Sequence, residues 1–438
     1  MTTDEEIGIG AYGTNGEGIG GILRHRIDDF IVEEISDQIE GESGEYLIVD
    51  IEKRNWDTHK LIRDLSRILR VSRNRFGWAG TKDKRAITRQ KISIWNITQD
   101  DVDKITLKDF TLRVLGQSNK KISLGDLYAN KFQITIREIE HPTDTTLARI
   151  EKITEELSNN RGAPNFFGVQ RFGEIRPITH LVGRALIEQN PKEAVMTYLT
   201  KTYPDEHPQA IEAREYLAET HDFKTSTKLY PKNLTFELAM LHYLATKPDD
   251  YLGALAKLPE NLQRIFIHAY QSYLFNQTLT KRMNRGIPLD TAIPGDIVCF
   301  KNKVGLPDKN RLQKVKSENL DGINKLIQRG RAFVTAPLPG YKTQLSTNTP
   351  GEIEKEVLIE ENVKLKDFKI EPAKYASKGM RREILTNPNP THNITQDELH
   401  TNHTKATLNF TLQKGSYATT LLREYMKTRH NKTPNRRL

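Results

Sequence analysis

A change of hydrophobic period along the chain is the strongest constraint on its fold. Every second residue is apolar in Phe132-Gln133-Ile134-Thr135-Ile136-Arg137, in Lys91-Ile92-Ser93-Ile94-Trp95 and in Ala406-Thr407-Leu408-Asn409-Phe410-Thr411-Leu412. That is the spacing of a strand with one buried face. Tyr46-Leu47-Ile48-Val49-Asp50-Ile51 is a β-prone run expected to form a buried strand, and Phe30 and Val32 alternate as in an edge strand. Between these runs the period becomes helical. Thr58 is expected to cap a helix carrying Leu61, Ile62, Leu65, Ile68 and Leu69, and a second helix carries Leu147, Ile150, Ile153 and Leu157. Residues 20–160 therefore predict an α+β unit with a mixed or largely antiparallel sheet.

From about 180 to 285 the pattern is almost entirely helical. The run from Ile265 to Met283, apolar on more than one side, predicts a buried central helix. Short strands follow around Ile297 and Phe333, and the basic stretch from Lys301 to Lys316 between them reads as a solvated loop. Alternation returns after Ser377. The simplest organisation is a second domain, 185–380, inserted into a first one made of 1–184 and 381–438, although the pattern alone also allows three separate domains. Residues 1–20, rich in glycine, threonine and acids, are expected to be a loose leader or a poorly packed first strand. The basic tail from Arg429 to Leu438 is expected to be disordered.

Composition narrows the function class. The 438 residues are 36% hydrophobic and 28% charged, with no apolar run near the ~18 residues that span a bilayer. The acidic N-terminus lacks the segments of a signal peptide, so a cytoplasmic protein is expected, with no membrane partner and no obligate protein partner. A single cysteine, Cys299, excludes an intramolecular disulfide framework and a multi-cysteine zinc site. No clustered Cys/His set, P-loop or dinucleotide fingerprint stands out, and no cofactor is expected. The net charge of +9 favours a polyanionic partner.

One acid stands in a setting suited to chemistry. In Gly77-Trp78-Ala79-Gly80-Thr81-Lys82-Asp83-Lys84-Arg85, Asp83 has basic residues on both sides. Cations beside a carboxylate favour its ionised form and attract phosphate. Gly77 and Gly80 permit a tight turn and a close backbone approach. The plain alternative is a solvated turn with an ordinary surface aspartate. A second block, Asn165-Phe166-Phe167-Gly168-Val169-Gln170-Arg171-Phe172-Gly173, interleaves aromatics with amide and guanidinium groups. That mixture suits stacking on an unpaired base, with at least one of Phe166 and Phe172 expected in the core instead. His268, on the central helix, is more often a satisfied helix histidine than a base.

Three ordered blocks carry a resemblance. Gly80, Lys82-Asp83, Ala86, Thr88 and Gln90 follow a G-x-K-D-x-x-A-x-T-x-Q signature. Asn165 to Gly173 follows N-[YF]-F-G-x-Q-R-F-G. Gln413-Lys414-Gly415-Ser416-Tyr417-Ala418-Thr419 is similar to L-P-x-G-S-[FY]-A-T, with Gln413 in place of proline and Ser416 a plausible helix cap. In this the chain resembles the TruD family of pseudouridine synthases.

The resemblance implies a pseudouridine synthase catalytic domain, completed by the last sheet elements and carrying an inserted, mainly helical α+β domain. It implies isomerisation of uridine in tRNA, at uridine 13, without metal or cofactor. Asp83 would be the nucleophile, with Phe167 and Asn165 beside the extruded uridine. Arg24, in Gly21-Ile22-Leu23-Arg24, is the first choice for the basic residue that pairs the aspartate, and Lys82 the second. The general base stays unassigned, since Phe167 cannot transfer a proton. The alternative function is a non-catalytic basic RNA-binding protein.

Overall fold

The computed structural model describes residues 3–36 and 40–428. They pack as two units, one made of residues 3–12 and 164–385, the other of 13–36, 40–163 and 386–428. The second segment of the first unit begins at residue 164, and Asn165 and Phe167 belong to it. The basic tail from Arg429 lies outside the described residues.

The unit that contains Asp83 is built on a mixed sheet. Its strands are β1 (Ile22–Leu23), β2 (Phe30–Ser36), β3 (Tyr46–Arg54), β4 (Phe76–Trp78), β5 (Ile87–Trp95), β6 (Phe110–Ser118), β7 (Leu127–Ile139), β8 (Thr391–Gln396) and β9 (Thr404–Gln413). Among the described residues the main path runs β8-β9-β7-β2-β5-β3-β6, with β1 added to β7 and β4 to β5. Among the described residues of this sheet only β2 and β5 pair in parallel. The α+β class and the mixed sheet are as the periodicity predicts.

The Phe30 run is not the edge strand it resembles. β2 lies between β7 and β5. Its short alternation reflects the one face that carries Phe30 and Val32, which shares a core with Phe132 and Ile134 and, at Val32, also lines the cleft described below.

Three helices, α1 (Thr58–Ile68), α2 (Thr143–Asn159) and α3 (Ala418–Met426), cover the sheet. Ile150, Ile153 and Leu157 of α2, with Leu421, Leu422 and Tyr425 of α3, share a core with Ile134, Ile136, Leu408 and Phe410. Leu61, Ile62 and Leu65 of α1 pack with Val49, Ile51, Ile92 and Ile94. Each fully buried Leu, Ile or Phe contributes about 1.5–3 kcal/mol, so these two layers hold the sheet rigid under the site. Leu147 and Ile68 stay exposed.

Two caps sit one residue away from where the sequence suggests. Asp57, not Thr58, caps α1 through the Lys60 N–H. Tyr417, not Ser416, occupies the N-cap of α3, after Gly415 at φ +88°.

The other unit is organised on the helix Glu260–Asn284, as its all-round apolar character predicts. An antiparallel sheet joins Pro307–Lys314, Ile297–Lys301, Ala332–Leu338 and Met380–Glu383. The basic connector is thus largely a strand paired with Ile297–Lys301 rather than a loop. Residues 3–20 also pack against the rest of the chain. Ile7 and Ile9 are buried in this unit, where the Asn276 amide donates to the Ile7 carbonyl. Ile19 is buried in the Asp83 unit, its N–H donating to the Tyr425 carbonyl. Glycine-rich composition hid three anchoring isoleucines. Among the described residues no helix is long and apolar enough to cross a membrane.

Candidate active site

Asp83 lies on the connection from β4 to β5, and four long-range hydrogen bonds fix that loop. Thr58 Oγ1, freed from capping by Asp57, accepts the Lys82 N–H at 3.1 Å. Gln90 Nε2 donates to the Gly80 carbonyl at 3.1 Å. Lys53 Nζ donates to the Asp83 carbonyl at 3.1 Å, and Arg85 Nη2 to the His25 carbonyl at 3.3 Å. A loop with its backbone polar groups satisfied on rigid elements presents a side chain in a fixed place. That side chain is the Asp83 carboxylate, 42% exposed. It lines a cleft of about 430 Å³ with His59, Gly80, Lys82, Asn130 and Phe132.

Asp83's ion-pair partner comes from a distant strand. Arg24, at the end of β1 with φ +57°, places Nη2 3.3 Å from Asp83 Oδ2. Its guanidinium carbon lies 4.3 Å from the centre of the Phe30 ring. A planar cation stacked on an aromatic face keeps one orientation.

Lys82, the second choice for this pairing, is committed elsewhere. Its Nζ lies 2.8 Å from Glu34 Oε2 and donates to Asn130 Oδ1 at 2.7 Å. The Glu34 carboxylate is fully buried, and beyond the Lys82 ion pair neither of its oxygens has a hydrogen-bond partner among the described residues. Successive side chains on an extended loop point to opposite sides, so Lys82 turns inward beside an outward Asp83. Of the flanking cations, Lys84 is exposed.

Lys53 was missed in the sequence. It is buried on β3, donating to the Trp56 carbonyl at 2.6 Å as well as to Asp83. Burial pushes its ammonium down to about 8, against the pull of the Asp83 and Asp57 carboxylates. The signal was available: Val49, Ile51 and Lys53 share one face of a strand, so the period-2 pattern places a lysine on the buried side.

The two glycines of the loop differ. A Cβ on Gly77 would stand 2.3 Å from the Ile122 carbonyl oxygen, which is the close approach expected of it. A Cβ on Gly80 would meet nothing within 4 Å. Gly80 therefore borders open cleft and makes no tight contact.

Asn165 and Phe167 lie together in the other unit. Asn165 Nδ2 donates to the Glu383 carbonyl at 3.1 Å, and Arg382 Nη2 donates to Asn165 Oδ1 at 2.7 Å. The Phe167 N–H donates to Asn276 Oδ1 at 2.9 Å, and Asn276 Nδ2 returns a bond to the Phe167 carbonyl at 3.0 Å. Asn276 lies on the central helix Glu260–Asn284, which thereby braces the second block. The Phe167 ring is 7% exposed, with the Arg382 guanidinium 4.0 Å from its centre and Phe275 edge-on at 5.4 Å. Phe166 and Phe172 are both core residues. Burial lowers the pKa of His268, with Arg171 and Arg264 adding to the effect.

Fold and cleft define an α+β protein that presents an arginine-paired acid over an open cleft, and comparison with known proteins narrows the class. The profile of the family described as tRNA pseudouridine synthase D (TruD) matches residues 6–425. A Methanosarcina mazei relative described as probable tRNA pseudouridine synthase D is 51% identical over 425 residues, covering 97% of each chain. A Pyrococcus abyssi relative of the same description is 38% identical over 413 residues, covering 94% of this chain and 97% of its own. A crystal structure of a TruD protein from Methanosarcina mazei superposes with a TM-score of 0.86 at 50% identity, over 97% of each chain. The chain belongs to the TruD family of tRNA pseudouridine synthases, which are isomerases.

Proposed function

We propose that this protein converts uridine to pseudouridine in tRNA, at uridine 13, with Asp83 as the nucleophile. The unit bearing Asp83 is the catalytic domain and the unit spanning 164–385 is the insertion. The observation that carries the reading is the Asp83 carboxylate itself. It is half-exposed over a cleft, on a pinned loop, and paired by an arginine stacked on Phe30. A protein that only bound phosphate would gain nothing from an anion at that position.

The reaction breaks the bond from C1′ to N1, turns the base, and joins C1′ to C5, releasing the C5 hydrogen as a proton. One carboxylate serves by adding to the base ring or by trapping C1′, and in either case it leaves unchanged at the end. The Arg24 cation supports the charged carboxylate before attack and after release. The target nucleotide leaves its stack first, at a cost of a few kcal/mol. Phe167, held flat by Arg382, and Asn165 are proposed to meet that base.

Release of tritium from tRNA labelled at uridine C5 tests the reading. Wild type should release one equivalent per modified site, while Asp83→Asn should release none and keep tRNA affinity within a few-fold. Turnover by Asp83→Asn would remove the nucleophile assignment. Absence of release by wild type, with tRNA still bound, would leave the RNA-binding alternative.

A further inference from the structure

Three side chains that are far apart in sequence converge at the end of β1. His25 follows Arg24 at the end of β1. Glu138 lies near the end of β7. His400 stands in the turn joining β8 to β9. His25 Nε2 and His400 Nε2 are 3.2 Å apart, and they lie 3.6 Å and 3.3 Å from Glu138 Oε1. The two rings meet edge to face with centres 4.8 Å apart, which brings both Nε2 atoms toward one point. Among the described residues this is the one group of three or more such side chains with ligand atoms close enough to share an ion.

We infer that His25, Glu138 and His400 bind a divalent zinc ion that ties β1, β7 and the 397–403 turn together. The ligand chemistry supports zinc. Imidazole suits zinc and later transition metals, and one carboxylate among two imidazoles does not suit magnesium or calcium. The geometry agrees. Tetrahedral zinc with bonds of about 2.0–2.1 Å separates its ligand atoms by about 3.3–3.4 Å. The three observed separations bracket that value. A six-coordinate ion with bonds of about 2.0–2.1 Å would draw neighbouring ligands to about 2.9 Å. Three protein ligands leave the fourth position to water.

The frame behind the ligands is rigid. Arg137, beside Glu138, is buried and donates to Asp29 at 2.8 Å, to Asp397 at 2.7 Å and to Glu398 at 3.0 Å. The Glu138 N–H also donates to Asp397 Oδ2 at 3.2 Å. Arg85 holds the His25 carbonyl. The ion would therefore close a clamp already set by charge-assisted hydrogen bonds, one residue from the arginine that pairs Asp83. This inference is independent of the isomerase chemistry, which needs no metal.

The test uses the full-length chain stripped with a chelator, then titrated with zinc chloride by calorimetry and followed by thermal melting. Wild type should bind one zinc per chain and melt at a higher temperature when loaded, because an ion that binds only the folded state stabilises it. His400→Gln or Glu138→Gln should weaken binding at least about 100-fold, beyond the usual loss when an outer partner is removed, and should abolish the melting shift. His403→Gln, whose ring lies 6.1 Å from that of His400, should bind as wild type does. Cobalt-loaded wild type should show the strong visible absorption of a four-coordinate ion. A folded wild type that binds no zinc overturns the inference, as does wild-type affinity in folded His400→Gln and Glu138→Gln. The wild-type titration decides alone where a variant fails to fold.

Discussion

Lys53 holds an ammonium group where water cannot reach it, and two backbone carbonyls take two of its three hydrogens. Its folded-state pKa of about 8 lies below the ordinary 10.5. Between those values the unfolded chain holds a proton that the folded protein has released, so raising the pH favours folding. The stability of wild type relative to Lys53→Met should therefore rise from about pH 8 toward 10.5. Urea midpoints measured across that range would show it, and a constant difference would mean that the amine is not desolvated. Phe167 poses a different question, because its ring is mostly covered. Phe167→Ala should remove about 1–3 kcal/mol of base stacking, seen as a lower kcat/KM. Unchanged kinetics with a lowered Tm would assign the ring to packing alone.

At the scale of elements, the Asp83 loop depends on what β4 and β5 allow beside it. Gly77→Ala should destabilise the protein by about 1–3 kcal/mol, the usual penalty for overpacking, because the new methyl meets the Ile122 carbonyl. Gly80→Ala should leave the melting temperature unchanged, since its methyl meets nothing, yet reduce turnover by entering the cleft that Gly80 lines. If Gly80→Ala left kcat/KM unchanged, the substrate would not use that side of the cleft. The two blocks that bear the aromatic motif and the Asp83 loop were legible as motifs because each spans few residues. β2 was misplaced as an edge strand because neighbours across a sheet leave no trace in a strand's own pattern. The Pro307–Lys314 strand was read as a loop because its residues are largely polar and basic.

For the whole molecule, a net charge of +9 on a protein that handles tRNA predicts a strong dependence on salt. The logarithm of the tRNA association constant should fall linearly with the logarithm of salt concentration, by about 0.7–0.9 for each phosphate neutralised. Filter binding over a salt series measures the slope, and a flat line would mean that the excess charge lies away from the RNA.

The sequence alone determined the α+β class, the change to a mainly helical pattern after about residue 180 and the acid that lines the cleft. These are properties of periodicity and of short motifs, which burial and backbone geometry impose residue by residue. The tertiary structure decided the partners. Asp83 pairs with Arg24 from β1, while the adjacent Lys82 turns to Glu34. His25 and His400, unremarkable in their own segments, meet at Glu138. Period and motif report which face of an element is buried, and only the closing of distant strands into one sheet settles which side chains meet there.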